Sequence, residues 1–396
     1  MNLITTTPAL QAAMERFASA PFITVDTEFM RETTFWPILC LIQVAIPGED
    51  YVIDPLAAGI DLAPFFELMG NKNVLKVFHA ARQDVEIMVN RGGFVPMPMF
   101  DTQVAAMVCG FGEQVGYEQL VSRLTGGKID KSSRFTDWSQ RPLTPAQLEY
   151  AAADVTHLCD VYLALKAKLE EGGRTEWLTD EMASLIAHET YDVAPEDAWQ
   201  RVKGRFNKPM EVCIVQHVAA WREREARSRN VPRSRVLKDD AIFEIAQQQP
   251  KDAEALSKLR TIPKGWERSS SASALVEAIQ TALATPREEL PKLPRHKPTS
   301  ESTSAAADIL RVLLKLVCER EEVAARMIAS NDDLTKLAEL GETADVPALT
   351  GWRRDLFGDL ALKLVSGQSA LRFVDRKLDV MDLATQASAA SGISPI

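Results

Sequence analysis

The 396-residue chain has only five cysteines, Cys40, Cys109, Cys159, Cys213 and Cys318, with no CxxC pair and no Cys/His cluster. That excludes a disulfide-stapled scaffold and argues against zinc; reduced, buried thiols and a cytoplasmic location are expected. No apolar run approaches the roughly 18 residues of a membrane span, so no membrane partner is expected. The opening "MNLITTTPALQAAMERF" lacks a basic segment followed by an apolar one and does not read as a signal peptide. Positive charge is in deficit, 45 Lys and Arg against 55 Asp and Glu, a net −10 that argues mildly against a nucleic-acid partner. The average hides a patch. Between Trp199 and Asp240 eleven Lys and Arg face five Asp and Glu, a local +6 that leaves −16 for the remainder.

What is present suits a soluble protein of two or three domains, with 46% hydrophobic and 25% charged residues. Up to about residue 170, strand-like runs ("FITVDTEF", "LCLIQVAI", "YVIDPL", "NVLKVFHA") alternate with helical stretches, the pattern of a sheet flanked by helices. From about 190 to 285 strand signals vanish, and "EVCIVQHVAAWREREARSR" and "ASALVEAIQTAL" read as amphipathic helices. Pro286, Pro291, Pro294 and Pro298 then crowd one short span, which marks a linker. A second helical region runs from "DILRVLLKLVCERE" to about residue 375, and the polar end "ATQASAASGISPI" is expected to fray. The expected division is an α/β unit over 1–190, helical units over 200–285 and 305–380, and a linker over 286–304.

Two acids interrupt the first strand. Asp26 and Glu28 in "FITVDTEF" are two apart, so their side chains share a face and repel unless something positive lies between them. Asp84 falls in the first turns of a helix entered from the strand of "VLKVFHAARQDVEIM". Thr144, Pro145 and Gln147 punctuate the start of a long helix as N-cap, first turn and capping box, and Gly172 and Gly173 end it. Within it Tyr150 and Asp154, four apart, stack on one face, and Ala151, Ala152 and Ala153 between them leave room for an approaching group. Each feature alone has an ordinary structural explanation. Together, in this order, they are specific.

The segments "DTEF", "FHAARQD" and "YAAAD" resemble the three exonuclease motifs of the DEDD superfamily of 3′→5′ exonucleases, built on a ribonuclease H-like fold. The Tyr-x-x-x-Asp spacing is that of its tyrosine branch, and "DTQVAAMVCG" and "DKSSRFTDWSQRPLT" are similar to stretches of the ribonuclease D family. "VQHVAAWREREARSRNVPRSRVLKDD" resembles the HRDC (helicase and ribonuclease D C-terminal) module, and "GWRRDLFGDLALKLV" a diverged second one. The resemblance implies an α/β exonuclease fold followed by two all-α HRDC-type domains. It also implies two divalent ions, Mg²⁺ or Mn²⁺, as the positive partner of the acids, which suits oxygen-only ligands. Asp26 would then bridge the ions, Glu28 and Asp154 hold the water-activating one, and Asp84 the other. Tyr150 would orient the attacking water, since an ordinary pKa near 10 makes it a poor base.

Phe29, Met30, Phe35 and Trp36 are candidates to stack on terminal nucleotides, each with a core role as the alternative. His79 is a candidate substrate contact beside the second motif, and Lys131, Arg134 and Arg141 are candidate phosphate contacts. His157 lies on the wrong side of Asp154 for the histidine branch and reads as structural. Arg222, Arg227 and Arg229 represent the basic patch, a candidate RNA-binding surface. The function implied is 3′→5′ trimming of RNA, above all tRNA precursors, by a monomer releasing nucleoside 5′-monophosphates. A DNA exonuclease on the same fold and a catalytically silent RNA-binding scaffold are the alternatives.

Overall fold

The computed structural model describes residues 2–204, 206–293 and 300–383. Six strands form one mixed sheet: β1 (Leu3–Ile4), β2 (Phe22–Met30), β3 (Ile38–Ile46), β4 (Glu49–Ile53), β5 (Leu75–Phe78) and β6 (Met99–Asp101). Their order across the sheet is β1-β4-β3-β2-β5-β6. The β2–β3 and β3–β4 pairs are antiparallel and the β1–β4, β2–β5 and β5–β6 pairs parallel. β2 therefore lies inside the sheet, where its β-branched and aromatic residues are covered on both faces.

Helices α1 (Thr7–Phe17), α2 (Ala63–Gly70), α3 (Arg82–Gly92), α4 (Thr102–Val108), α5 (Tyr117–Thr125), α6 (Pro145–Glu171) and α7 (Trp177–Ile186) flank the sheet. Leu10, Phe17, Phe65 and Met69 of α1 and α2 share a core with Ile23 and Val25 of β2. α6 packs on the opposite face. Its start has the capping box the sequence implies, Thr144 and Gln147 each bonding the other's backbone N–H. Thr24 Oγ1 donates to Val155 O at 2.8 Å, pinning α6 across β2 two residues before Asp26 and one after Asp154.

The first helical unit has its own core. α8 (Pro209–Ser228), α9 (Arg233–Val236), α10 (Asp239–Gln248), α11 (Ala253–Ser257) and α12 (Ser270–Leu283) bury Ile214, Val218, Ile242, Ile245, Leu275 and Ile279 together. The later helices do not stand apart in this way. Leu310, Leu313 and Val317 of α13 (Glu301–Glu321), with Met327 and Phe357, join the same hydrophobic cluster as the sheet. Ala324 N donates to Met107 O at 3.0 Å, and Trp177 stacks on Trp352 with ring centroids 4.3 Å apart. Arg353, itself buried, donates to Asp180 and Glu181 of α7 at 2.9 and 2.6 Å.

That seam predicts a large cost for truncation. A chain cut after residue 293 would expose the Trp177 face and leave the α7 acids without Arg353. Its melting temperature is expected to fall by about 10 °C or more, or the protein to aggregate. Melting within about 2 °C of the whole chain would show that the seam contributes little.

Two expectations are corrected. The C-terminal unit is not all-helical: Ser369–Val374 and Lys377–Asp382 form an antiparallel hairpin. Asp375 and Arg376 turn it with φ of 49° and 65°, the two positive values a tight two-residue hairpin turn requires. The assigned linker also ends early, since Ser300 caps α13 and residues 301–304 are already helical. Residues 294–299 and the polar end from 384 onward lie outside the described residues.

Candidate active site

Carboxylate oxygens of Asp26, Glu28 and Asp154 all lie within 4.8 Å of one another. β2 supplies the first two on the face covered by α6, and α6 supplies the third. Phe29, just beyond an irregularity in the β2–β3 register after Glu28, lines the cavity that Asp26, Thr27 and Asp154 also border. Asp84, in the first turn of α3, borders this cavity and accepts a 2.5 Å hydrogen bond from Thr27. The cavity has a volume of about 600 Å³ and is also lined by His79, Tyr117, Arg134 and Tyr150.

The turn that places Asp84 is held by Asp101. Its carboxylate accepts from Ala80 N, Ala81 N and Gln103 N at 3.0, 2.8 and 2.8 Å. Ala80 takes φ 57° there, an uncommon value for a residue with a Cβ. Tyr117 also belongs to the site: its hydroxyl donates to the Asp154 backbone carbonyl and its ring lies 5.1 Å from that of His79. Nothing in the spacing of Tyr117 or Asp101 signals these roles; both depend on contacts between distant segments.

The electrostatics suit a cation. Burial, with Asp26, Asp154 and Asp84 as like-charged neighbours, pushes the Glu28 carboxyl up to about 9. Burial likewise raises Asp154 to about 7, against a hydrogen bond from Tyr150 and the field of Arg134 that pull it down. Asp26 is raised by burial and then by Asp154, and Asp84 by burial and then by Asp26. Asp154 Oδ1 is buried without a protein hydrogen-bond partner. A carboxylate with one orphaned oxygen, clustered with two more carboxylates, fits a hard divalent ion, and these residues could hold one. The Tyr150 phenol, buried beside these acids, has its pKa pushed well up, so it keeps its proton. Burial lowers the His79 pKa, leaving a neutral ring whose Nδ1 lies 3.0 Å from Thr102 Oγ1.

These shifts make a pH prediction. Without a cation the folded state binds more protons than the unfolded one from the ordinary carboxylate range up to about 9, the value for Glu28. Stability of the metal-free protein is therefore expected to fall as pH rises through that window. Added Mg²⁺, which binds the deprotonated acids, is expected to flatten the fall and to bind more tightly at pH 8 than at pH 6. Thermal unfolding from pH 5 to 9 with EDTA or Mg²⁺ measures both, and superimposable curves would refute the assignment.

Several candidates are placed elsewhere. Arg141 forks onto Asp54 with two 2.7 Å bonds and also donates to Cys40 O and Trp138 O, so it anchors a loop and is not free for a phosphate. Met30 packs against the cluster of Cys40, Leu41, Val52, Trp138 and Ala151 instead of lining the cavity. Phe35 and Trp36 join the core of the first helical unit, where Asn230 Oδ1 accepts from both backbone N–H groups at 3.2 and 3.1 Å. The basic patch is largely self-neutralised. Arg222 is only 5% exposed and bonds Leu237 O and Asp239. Arg227 bonds Glu223, Asp192 and Val193 O. Arg229 alone of the three stays half exposed, pairing with Glu225 at 3.4 Å.

Residues 1–170 match the 3′-5′ exonuclease family model and residues 213–279 the HRDC domain model. The chain is 54% identical to ribonuclease D of Nitrobacter hamburgensis, over 94% of this chain and 97% of that protein. It is 48% identical to ribonuclease D of Bartonella henselae, over 97% of this chain and 94% of that one. The crystal structure of Escherichia coli RNase D, described as an exoribonuclease involved in structured RNA processing, superimposes with a TM-score of 0.78 at 30% identity, covering 93% of this chain and 99% of that one. With the acids converging on one cavity and the likeness running from the sheet to the last helices, the chain belongs to the ribonuclease D family of metal-dependent 3′→5′ exoribonucleases.

Proposed function

We infer that the protein trims the 3′ ends of structured RNAs, tRNA precursors above all, in the cytoplasm and as a monomer, releasing nucleoside 5′-monophosphates. The observation that carries this is the convergence of Asp26, Glu28 and Asp154 within 4.8 Å, with one Asp154 oxygen left unpartnered. Asp26 interacts electrostatically with both Asp154 and Asp84, the position of a carboxylate shared between two sites. We assign Asp26, Glu28 and Asp154 to one divalent ion, Mg²⁺ or Mn²⁺, and Asp26 with Asp84 to a second. Divalent ions held there supply a nucleophile from water near neutral pH and relieve charge on the leaving 3′ oxygen.

The chain's own groups do the rest. Tyr150 faces the cavity from α6 with its proton retained, so it orients a water by hydrogen bonding rather than by taking its proton. Phe29 and His79 border the space a terminal nucleotide would fill. Described residues contain no helix long and apolar enough to cross a membrane, and the five thiols are free, which supports a reducing compartment.

The test is to digest a 3′-extended tRNA precursor with and without Mg²⁺ and identify the products. Mononucleotide 5′-phosphates released stepwise from the 3′ end are expected, and only with the cation. Preference for a matched DNA strand would favour the DNA exonuclease reading. Tight binding without cleavage would favour the silent scaffold.

A further inference from the structure

Phe135 is 90% exposed, the most exposed large apolar side chain among the described residues. A single exposed aromatic is ordinary. Here, though, the backbone beneath it is fastened on both sides. Ser133 and Trp138 are buried, and Thr136 donates to Ser133 O at 2.8 Å while accepting from Gln147 of the α6 capping box at 3.1 Å. Trp138 lies 6.0 Å from the Tyr150 ring. The same turn thus holds the catalytic helix on its inner side and lifts Phe135 into solvent on its outer side.

The neighbouring residue joins this ring to the cavity. The Arg134 guanidinium lies over the Phe135 ring, 5.2 Å from its centroid. Arg134 also lines the cavity, and its charge lowers the pKa values of Glu28 and Asp154. One face of the ring therefore carries a cation that also lines the acid-lined cavity proposed to take an RNA end, and the rest of the ring is open to solvent. A strand entering that cavity brings flat, π-faced bases and anionic phosphates past this point. An aromatic face with an adjacent guanidinium complements both.

We propose that Phe135 is a stacking platform for one nucleobase of the single-stranded RNA segment behind the scissile nucleotide, with Arg134 backing the ring and facing the adjoining phosphate. This rests on the exonuclease reading above and adds a subsite to it. The subsite is sequence-tolerant, since every base presents a π-face. It serves grip on the single-stranded tail and makes no bond to the reacting atoms.

The test uses the full chain carrying Asp26→Asn, so that an eight-nucleotide oligoadenylate survives the measurement. Phe135→Ala is expected to weaken its binding about 5- to 30-fold, the lower part of the range for base–aromatic stacking. Phe135→Trp is expected to keep wild-type affinity, and Phe135→Leu, apolar but without a ring, to behave like Ala. Abasic sites are then placed one at a time at the four 3′-terminal positions. At one position, the abasic site should cost the Phe135 chain the same factor and cost the Phe135→Ala chain nothing more. Unchanged affinity in Phe135→Ala, full affinity in Phe135→Leu, or losses that simply add at every position would each overturn the proposal. Failure of the exonuclease reading would show separately, as absence of any 3′ shortening of this oligomer by the unsubstituted chain with Mg²⁺.

Discussion

Asp26→Asn is expected to lower cleavage by about 10⁴-fold or more while leaving the fold intact. The amide keeps the shape of the carboxyl and can still accept the Thr27 backbone hydrogen bond, but it removes the charge that faces both Asp154 and Asp84. Binding of Mg²⁺ should weaken in parallel, because the remaining acids lose the member they share. Stability should move the other way. In the metal-free protein Asp26 is a buried carboxyl whose pKa is raised by burial and then by Asp154, so at pH 8, above the Asp154 value of about 7, keeping this acid in the site costs folding free energy. Melting in EDTA at pH 8 is therefore expected at or above the wild-type temperature. The informative comparison is activity, calorimetric Mg²⁺ titration and melting on one preparation. Loss of activity with a melting temperature lowered by several degrees would make Asp26 a structural residue.

What was legible in the sequence was local. The β2 run and the α6 capping box depend on neighbours within four residues, and both form at the expected places. The carboxylates also announced themselves, because an acid inside a strand of β-branched residues is conspicuous. Short or long-range features were not legible. β1 and β6 span Leu3–Ile4 and Met99–Asp101, too short for any alternation to register. The hairpin after Ser369 turns on Asp375-Arg376, which lacks the glycine that usually signals such a turn.

The misread cations show the same limit more sharply. Arg222 and Arg227 are basic residues on an amphipathic helix, which suits a phosphate surface or a folded interior equally well. Which one holds is decided by Asp239 and Asp192, 17 and 35 residues away along the chain. Glu223, only 1% exposed at its side chain, gathers both Arg227 and Arg233, and burial of that acid consumes two of the cations counted in the patch. Phe35 and Trp36 follow the acid-bearing strand closely enough to suggest nucleotide contact. Asn230, almost 200 residues later, claims their backbone for the helical unit instead. Composition counts charges; only the fold pairs them.

Tyr150→Phe is expected to lower turnover by about 10²–10⁴-fold, the scale for losing one positioned proton-handling group. The ring should stay where it is, since its packing against Trp138 does not use the hydroxyl. Affinity for Mg²⁺ well above neutral pH should change little, because Tyr150 is not among the three converging carboxylates. A second effect distinguishes this residue from a spacer. Interaction with the Tyr150 hydroxyl holds the Asp154 carboxyl below the value burial alone would set. Without it the Asp154 pKa should rise further, so more of the acid stays protonated near neutrality. The residual rate of the variant, and its Mg²⁺ affinity below pH 7, should therefore recover at higher pH than in wild type. Steady-state turnover and KM across pH 6 to 9, at saturating and at limiting Mg²⁺, separate the two effects. Turnover within about twofold of wild type would remove Tyr150 from the reaction, and a large loss with an unshifted pH profile would show that the hydroxyl acts on water without tuning Asp154.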